Sequence, residues 1–323
     1  MKKLTITMTA AALAAAAWAS PPTYEYEGKW GSRGSGNGQF DDPGGVEVAP
    51  NGNVYVGDQY NHRVQYFTPT GSFLGKWGSF GTGDGQFNRA VGARAAPDGN
   101  IYVADYYNNR IQYFTSAGSF LGEFGSAGSG DGQFNHPHGG DFKADGTFYV
   151  GDQHNHRVQY FTSTGSFLGK WGSYGTGDGQ FNNTLGVTLA SNGNVYVVDN
   201  QNHRIQYFTP TGSFLGKWGT YGSGNGQFNR PLGIKADPND NFFVGDNDND
   251  RVQYFTSTGS FLGKWGKKGS DNGEFLSAKD VALTSTGARC YVTDGGNHRV
   301  QYFRLTNPAV EPESLGKVKA LFK

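Results

Sequence analysis

The sequence predicts an all-β fold, a six-bladed β-propeller whose blades are four-stranded antiparallel sheets. With 52 glycines and 15% aromatic residues among 323, the composition favours many short strands joined by glycine turns over a helical bundle or a disordered chain. A unit of 47 residues recurs six times, and each full unit carries four short apolar runs. Four-stranded units of about this length, repeated six times, are typical of propeller blades.

The repeat is marked by a Gly-(Gln/Glu)-Phe triplet that returns without slippage. Its phenylalanines are Phe40, Phe87, Phe134, Phe181, Phe228 and Phe275, each 47 residues after the last. The same step relates Trp30, Trp77, Phe124, Trp171, Trp218 and Trp265. A single blade is too small to bury both of its faces, so stacking of the units must build the core.

One unit, read from Pro43, shows why each run is a strand. Its four apolar runs are GVEVA, NVYVGD, RVQYF and SFLGKW. Asn51-Gly52 separates the first two, and the matching turns are Asp98-Gly99, Asp145-Gly146 and Asn192-Gly193. These dipeptides supply the positive φ of a tight hairpin, which makes the strands antiparallel.

The two ends of the repeat region predict how the ring closes. Residues 23–31, TYEYEGKWG, match only the fourth run, whereas the sixth unit supplies the first three runs and leaves the pattern at Arg304. We therefore expect the N-terminal strand to complete the last blade. The predicted propeller covers residues 20–304, and residues 305–323 form a C-terminal tail with no assigned role.

The first 19 residues have the pattern of a signal peptide. Lys2 and Lys3 precede an apolar run, and Ala17-Trp18-Ala19 forms a small-residue cleavage site, which predicts a secreted or periplasmic protein. Removal of this segment leaves 25 basic against 27 acidic residues, too little positive charge to favour nucleic acid. No later run of about 18 apolar residues suggests a membrane span. We expect a monomer, with the lone Cys290 buried.

The run YVGDQYNHRVQYF, Tyr55 to Phe67, resembles the NHL repeat, which is named after an Asn-His-Leu signature. It is echoed in YVADYYNNRIQYF, YVGDQHNHRVQYF, YVVDNQNHRIQYF and YVTDGGNHRVQYF, and here Arg takes the third place of the signature. The resemblance implies a six-bladed propeller. It implies no single activity, because the family includes RNA- and protein-binding domains, bacterial receptor ectodomains and an amidating lyase.

Residues that recur in every unit are predicted to be structural, because a catalytic group acts at one point only. An Asp and an Arg five residues later recur in this way and are expected to close the turn between the second and third strands. The pairs are Asp58/Arg63, Asp105/Arg110, Asp152/Arg157, Asp199/Arg204, Asp246/Arg251 and Asp294/Arg299.

Function is expected where the units differ, near the axis. On the first strand of several blades, a charged residue lies between two apolar ones and should point into the central channel. These charges could form a polar binding site, or they could pair with one another without any ligand. Just before or at the start of these strands, charged residues should surround the channel mouth. The predicted ligand-binding residues are Glu47, Arg94, Asp141 and Lys235 in the channel, with Asp42, Arg89, Arg230 and Lys279 at the mouth.

Three histidines of the third unit raise the question of a metal site. His136, His138 and His154 are predicted to share one face of the propeller, and three imidazoles suffice for zinc with an open position. However, a His-x-His pair on a strand sends its rings to opposite sides. The acidic loop at residues 246–251, DNDNDR, lacks the Gly and distal Glu of a calcium loop. No cofactor is therefore predicted, and zinc or calcium stays an alternative.

These observations predict an exported binding or scaffold module that presents its top face and channel mouth to a protein, a glycan or a small ligand. The alternative is a metal-dependent lyase or hydrolase that resembles the peptidyl-hydroxyglycine amidating lyase of the same family. That alternative requires ligands from several blades, whereas the unrepeated histidines lie on one. No catalytic residue is assigned.

Overall fold

The computed structural model describes residues 23–306, and within this range the chain forms six four-stranded antiparallel sheets. The predicted signal peptide and residues 307–323 of the predicted tail lie outside the described range. The first strand is β1 (Thr23–Trp30). Blade 1 follows with β2 (Pro43–Val48), β3 (Val54–Asp58), β4 (Arg63–Phe67) and β5 (Phe73–Trp77).

Blades 2 to 5 repeat this order. Blade 2 contains β6 (Ala90–Ala95), β7 (Ile101–Asp105), β8 (Arg110–Phe114) and β9 (Phe120–Phe124). Blade 3 contains β10 (Pro137–Phe142), β11 (Phe148–Asp152), β12 (Arg157–Phe161) and β13 (Phe167–Trp171). Blade 4 contains β14 (Thr184–Leu189), β15 (Val195–Asp199), β16 (Arg204–Phe208) and β17 (Phe214–Trp218). Blade 5 contains β18 (Ile234–Ala236), β19 (Phe242–Asp246), β20 (Arg251–Phe255) and β21 (Phe261–Trp265).

Blade 6 confirms the predicted closure. Its own strands are β22 (Ala278–Leu283), β23 (Arg289–Asp294) and β24 (Arg299–Thr306), and β1 pairs with β24 as the outer strand. The inner strands β2, β6, β10, β14, β18 and β22 contact one another in turn, and β22 contacts β2. Residues Tyr24–Leu305 therefore form one closed ring around a central axis. At the ends of the described range, the hydroxyls of Thr23 and Thr306 lie 2.7 Å apart.

Single-turn 3₁₀ helices join the second and third strands in blades 3 to 6. They are Gln153–Asn155, Asn200–Asn202, Asn247–Asn249 and Gly295–Asn297. No helix in the described part of the chain has the length and hydropathy needed to cross a bilayer. Cys290 is buried, as predicted.

Aromatic side chains fill the spaces between blades. The Tyr55 hydroxyl of blade 1 donates to the carbonyl of Ser116 in blade 2 (2.9 Å). The Trp77 ring lies against Gly118, where an added Cβ would be 2.7 Å from the indole. A side chain at this hairpin glycine would therefore push the two blades apart, so glycine permits the close approach.

The repeated Asp-Arg pairs are structural, as predicted. Arg63 Nε donates to Asp58 Oδ2 (2.7 Å), and both side chains are buried. Arg63 also donates to the carbonyls of Ser35, Gly36 and Gln39, so the pair fixes the glycine-rich loop before the blade as well as the turn. The equivalent pairs of the other five blades have the same geometry, at 2.6–2.8 Å.

The second residue of the NHL signature bonds adjacent blades together. In blade 1, Nδ1 of His62 accepts a hydrogen bond from the backbone N–H of Arg89 in blade 2 (3.0 Å). The same bond joins every neighbouring pair of blades in the described ring. The six acceptors are His62, Asn109, His156, His203, Asp250 and His298. All six have positive φ, between 53° and 55°, which is tolerated best by side chains such as Asn, Asp and His.

These histidine bonds predict that acid loosens the ring. A protonated Nδ1 cannot accept a hydrogen bond, and burial lowers the pKa of His62, His156 and His203 below the usual 6.5. Because the folded state then binds fewer protons than the unfolded chain, their contribution is complete above pH 6.5 and is lost as the pH falls through the lowered pKa values. We expect a loss of about 1 kcal/mol for each bond, measured by chemical denaturation at neutral and acidic pH.

Asparagine provides the matched control, because Asn109 already fills this position in blade 2. Replacing His62, His156 and His203 by Asn keeps an acceptor that does not titrate. The triple variant should lose less stability than the parent between pH 7 and pH 5. An equal loss in both proteins would show that the histidine bonds do not cause the acid sensitivity.

Candidate functional site

Arg94 closes the central channel. From β6 of blade 2, its guanidinium donates to the carbonyl of Gly140 in blade 3 (2.8 Å) and to that of Val46 in blade 1 (3.1 Å). A further bond reaches Asp280 Oδ2 of blade 6 at 2.8 Å. Because one buried side chain is bonded to three other blades, it forms a plug across the axis.

The other predicted channel residues form a second charged layer. Lys235 Nζ lies 3.2 Å from Glu47 Oε2 and 3.3 Å from Asp141 Oδ1. Burial raises the pKa of Glu47, although Lys235 and Arg94 oppose this rise. Burial lowers the pKa of Lys235, but Asp141 and Glu47 outweigh it and leave the value raised. All four predicted channel residues therefore meet one another or Asp280 as ion pairs.

A cavity of about 290 Å³, here called the top pocket, lies at one end of this plug. Its lining includes residues from all six blades, among them Arg94 and Asp280. A close contact requires glycine at Gly45 on the inner strand of blade 1, because a Cβ there would lie 2.7 Å from the Cα of Gly92. The glycines of this ring are Gly45, Gly92, Gly139, Gly186 and Gly233.

Arg89 is held in the top pocket by one hydrogen bond and three aromatic rings. Its Nε donates to Gln59 Oε1 (2.8 Å), and its guanidinium carbon lies 5.3 Å, 5.1 Å and 6.0 Å from the ring centres of Tyr60, Tyr106 and Tyr107. Cation–π contacts of this kind hold a guanidinium without using its N–H groups. Among residues 23–306, no carboxylate forms an ion pair with Arg89.

The other three predicted mouth residues are paired. Lys279 Nζ donates to Asp42 Oδ1 (2.5 Å), and burial lowers the pKa of Lys279 although Asp42 opposes this. Arg230 is half-exposed and lies 3.8 Å from Asp248 Oδ2. Arg89, Arg230 and Lys279 line the top pocket, so three of the four predicted mouth residues reach it.

The three histidines of blade 3 separate into a pair and a single residue. Nδ1 of His136 lies 2.8 Å from Nδ1 of His154, and the His136 ring packs on Tyr106. His138 instead lines the top pocket, where burial and then Arg89, Arg94 and Lys279 lower its pKa to about 3. No group of three or more His, Cys, Asp or Glu side chains within the described residues could hold a metal ion. The residues present therefore do not fit a three-histidine zinc site.

Sequence reasoning missed a set of polar residues around the top pocket. They directly follow the repeated aspartate, and the lining members are Gln59, Tyr106, Gln153, Asn200 and Asn247. The signal was present in the sequence, because this position varies among the units while the aspartate before it does not.

The opposite end of the channel has a different chemistry. Its opening, of about 810 Å³, is lined by proline, alanine and other apolar residues around the Glu47, Asp141 and Lys235 layer. The polar groups of that layer already bind one another.

Comparisons with known proteins agree with this architecture. A family profile described as NHL repeat matches residues 40–67, 87–114 and 181–208. No curated protein sequence matches the chain.

Solved structures with the same fold include enzymes and a protein of unknown function. Virginiamycin B lyase from Staphylococcus aureus is 14% identical with a TM-score of 0.59, and the match covers 90% of each chain. A gluconolactonase from Xanthomonas campestris is 12% identical with a TM-score of 0.64, covering 89% of this chain and 98% of that one. A Bacteroides thetaiotaomicron protein of unknown function is 14% identical with a TM-score of 0.66, covering 86% and 76%. At these identities the likeness shows the fold alone. The chain is therefore a six-bladed β-propeller that carries NHL repeats at residues 40–67, 87–114 and 181–208.

Proposed function

We propose that this propeller is an exported binding module that takes its ligand into the top pocket. The observation that carries the proposal is that Arg89 lines the top pocket and forms no ion pair within the described residues. A structural cation is normally paired when it is removed from water. The residues that line the top pocket differ from blade to blade. Such variation is expected of a binding site, whereas structural residues recur in every blade. Export rests on the N-terminal sequence pattern.

The ring glycines offer a direct test. A Cβ at Gly92 would meet only the carbonyl oxygen of His138, at the ordinary distance of 3.7 Å, so a side chain there can enter the pocket. We expect Gly92→Leu to fold but to lower the affinity for a ligand at least tenfold. Native mass spectrometry of protein purified from its producing cells identifies a retained ligand, and titration then gives the affinities.

The matched control places the same side chain at the other end of the channel. Ser285 is exposed and lines the opening at the opposite end of the channel, so Ser285→Leu should leave ligand binding unchanged. Equal affinity of the Gly92→Leu protein and the parent would show that the ligand binds elsewhere.

A metal-dependent lyase or hydrolase is the second candidate. The observation in its favour is His138, an imidazole that lines the top pocket and is not part of the repeat. The absence of a three-ligand cluster among the described residues weighs against it. Metal analysis of the purified protein separates the two: about one equivalent of tightly bound metal would favour the enzyme.

A further inference from the structure

We infer that the ligand of the top pocket is a small hydroxylated carboxylate whose carboxylate group binds Arg89. This inference rests on the proposed function and adds the chemical class of the ligand. It depends on the charge balance of the pocket, on the state of each cation and on the polar groups around them.

The charge balance of the lining favours an anion. Four cations line the top pocket, Arg89, Arg94, Arg230 and Lys279, against one acid, Asp280. Arg94 is bonded to Asp280, and Lys279 to Asp42. Arg230 lies within reach of Asp248. Arg89 is therefore the cation whose charge is least compensated in the described structure.

The fixed orientation of Arg89 favours a carboxylate. Its Nε is bonded to Gln59, and three tyrosine rings hold the guanidinium in place. The terminal N–H groups form no hydrogen bond within the described residues, so they are available to a ligand. A guanidinium presents these donors as a planar fork that matches a carboxylate, and prior fixation reduces the entropy lost on binding.

The other residues that line the top pocket indicate the chemistry of the rest of the ligand, beyond its carboxylate. The amide side chains of Gln153, Asn200 and Asn247 also line the cavity. The amide nitrogens of Asn200 and Asn247 each donate one bond within the protein and keep a second N–H, which suits a ligand hydroxyl. The neutral imidazole of His138 offers one donor and one acceptor in the same cavity. A cavity of about 290 Å³ has room for a ligand group of about the size of one sugar ring.

The chain itself supplies substitutions that fit the fold. Arg89 has positive φ, and Asn183 occupies the same position in blade 4, so Arg89→Asn should keep the backbone. Leu185 is the blade 4 counterpart of His138, so His138→Leu is also compatible with a blade. Arg33 is exposed outside the pocket, and Arg33→Asn is the control for loss of one positive charge.

Isothermal titration calorimetry with glucuronate tests the inference, with glucose as the neutral probe and glucose 6-phosphate as a second oxyanion. We expect glucuronate to bind at least tenfold more tightly than glucose. Arg89→Asn should lower the glucuronate affinity at least tenfold, Arg89→Lys by a smaller factor because the fork is lost and the charge kept, and Arg33→Asn should have no effect. His138→Leu should weaken glucuronate and glucose alike.

Three results would overturn the inference. They are equal affinities for glucose and glucuronate, an unchanged affinity after Arg89→Asn, and no binding of any probe at millimolar concentration. Tighter binding of glucose 6-phosphate than of glucuronate would replace the carboxylate by a phosphate. None of these results removes the proposed function, which is tested separately by the affinity of a retained ligand for the Gly92→Leu protein and by metal analysis.

Discussion

A chain that begins at Gly31, and so lacks β1, is expected to lose about 5 kcal/mol of its free energy of unfolding. β1 carries three large aromatic residues, Tyr24, Tyr26 and Trp30, of which Tyr24 is only 9% exposed. Burial of one large apolar side chain contributes about 1.5–3 kcal/mol. Since whole domains are stable by only about 5–15 kcal/mol, the shortened ring should be barely folded at room temperature.

The effect is large because β1 contacts three blades. Within blade 6 it pairs with β24, and Glu27 forms two bonds of 2.7 Å with Arg289. Tyr24 stacks on Trp265 of blade 5, with ring centres 5.1 Å apart. Trp30 packs on Phe67 of blade 1 and on Gly71 in the same blade. Loss of β1 therefore exposes both neighbours of the last blade as well as its edge.

Urea denaturation of the shortened and parent chains measures this loss. Lys29→Ala is the matched control, because Lys29 lies on β1 but is exposed, and it should change stability by less than about 0.5 kcal/mol. An unchanged midpoint after removal of β1 would mean that the ring is held closed without it.

The fold could be predicted because the 47-residue period determines it almost completely. The triplet at Phe40 and its copies gave the number of blades, and the unpaired fourth run before Gly31 gave the closure. The contacts of Arg63 with carbonyls up to 28 residues earlier could not be predicted, since a sequence pattern does not show which backbone group an arginine reaches. The sequence came close to predicting the role of His62. Only His, Asn and Asp occur at its position in the six units, and all three have a side-chain acceptor and tolerate positive φ.

The sequence predicted which residues lie near the axis but not which of them form ion pairs and hydrogen bonds with one another. Alternation along β2 and β6 correctly placed Glu47 and Arg94 near the axis. Which charges pair there depends on side-chain conformations across the channel, and the sequence contains no information on that. The setting of Arg89 likewise requires Tyr60 from one blade and Tyr106 from the next, which only the curvature of the ring brings together.

Replacement of Arg94 by Thr is expected to destabilise the ring by about 3–5 kcal/mol, because a buried ion pair that loses one partner leaves an uncompensated charge. Asp280 is 5% exposed, its Oδ1 has no hydrogen-bond partner within the described residues, and without Arg94 its Oδ2 would retain only the N–H of Val46. Threonine suits the position, since Thr188 occupies it in blade 4.

The inner strand of blade 4, β14, also provides the compensating change, because Gly186 occupies the position of Asp280 there. The double variant Arg94→Thr/Asp280→Gly removes both charges and should recover most of the stability lost in Arg94→Thr. Denaturation of the two single variants and the double variant completes a double-mutant cycle, and a coupling of at least about 1 kcal/mol is expected for residues in direct contact. Additive losses would show that Arg94 stabilises the ring through its hydrogen bonds to the carbonyls of Gly140 and Val46. The ion pair between Arg94 and Asp280 would then contribute little.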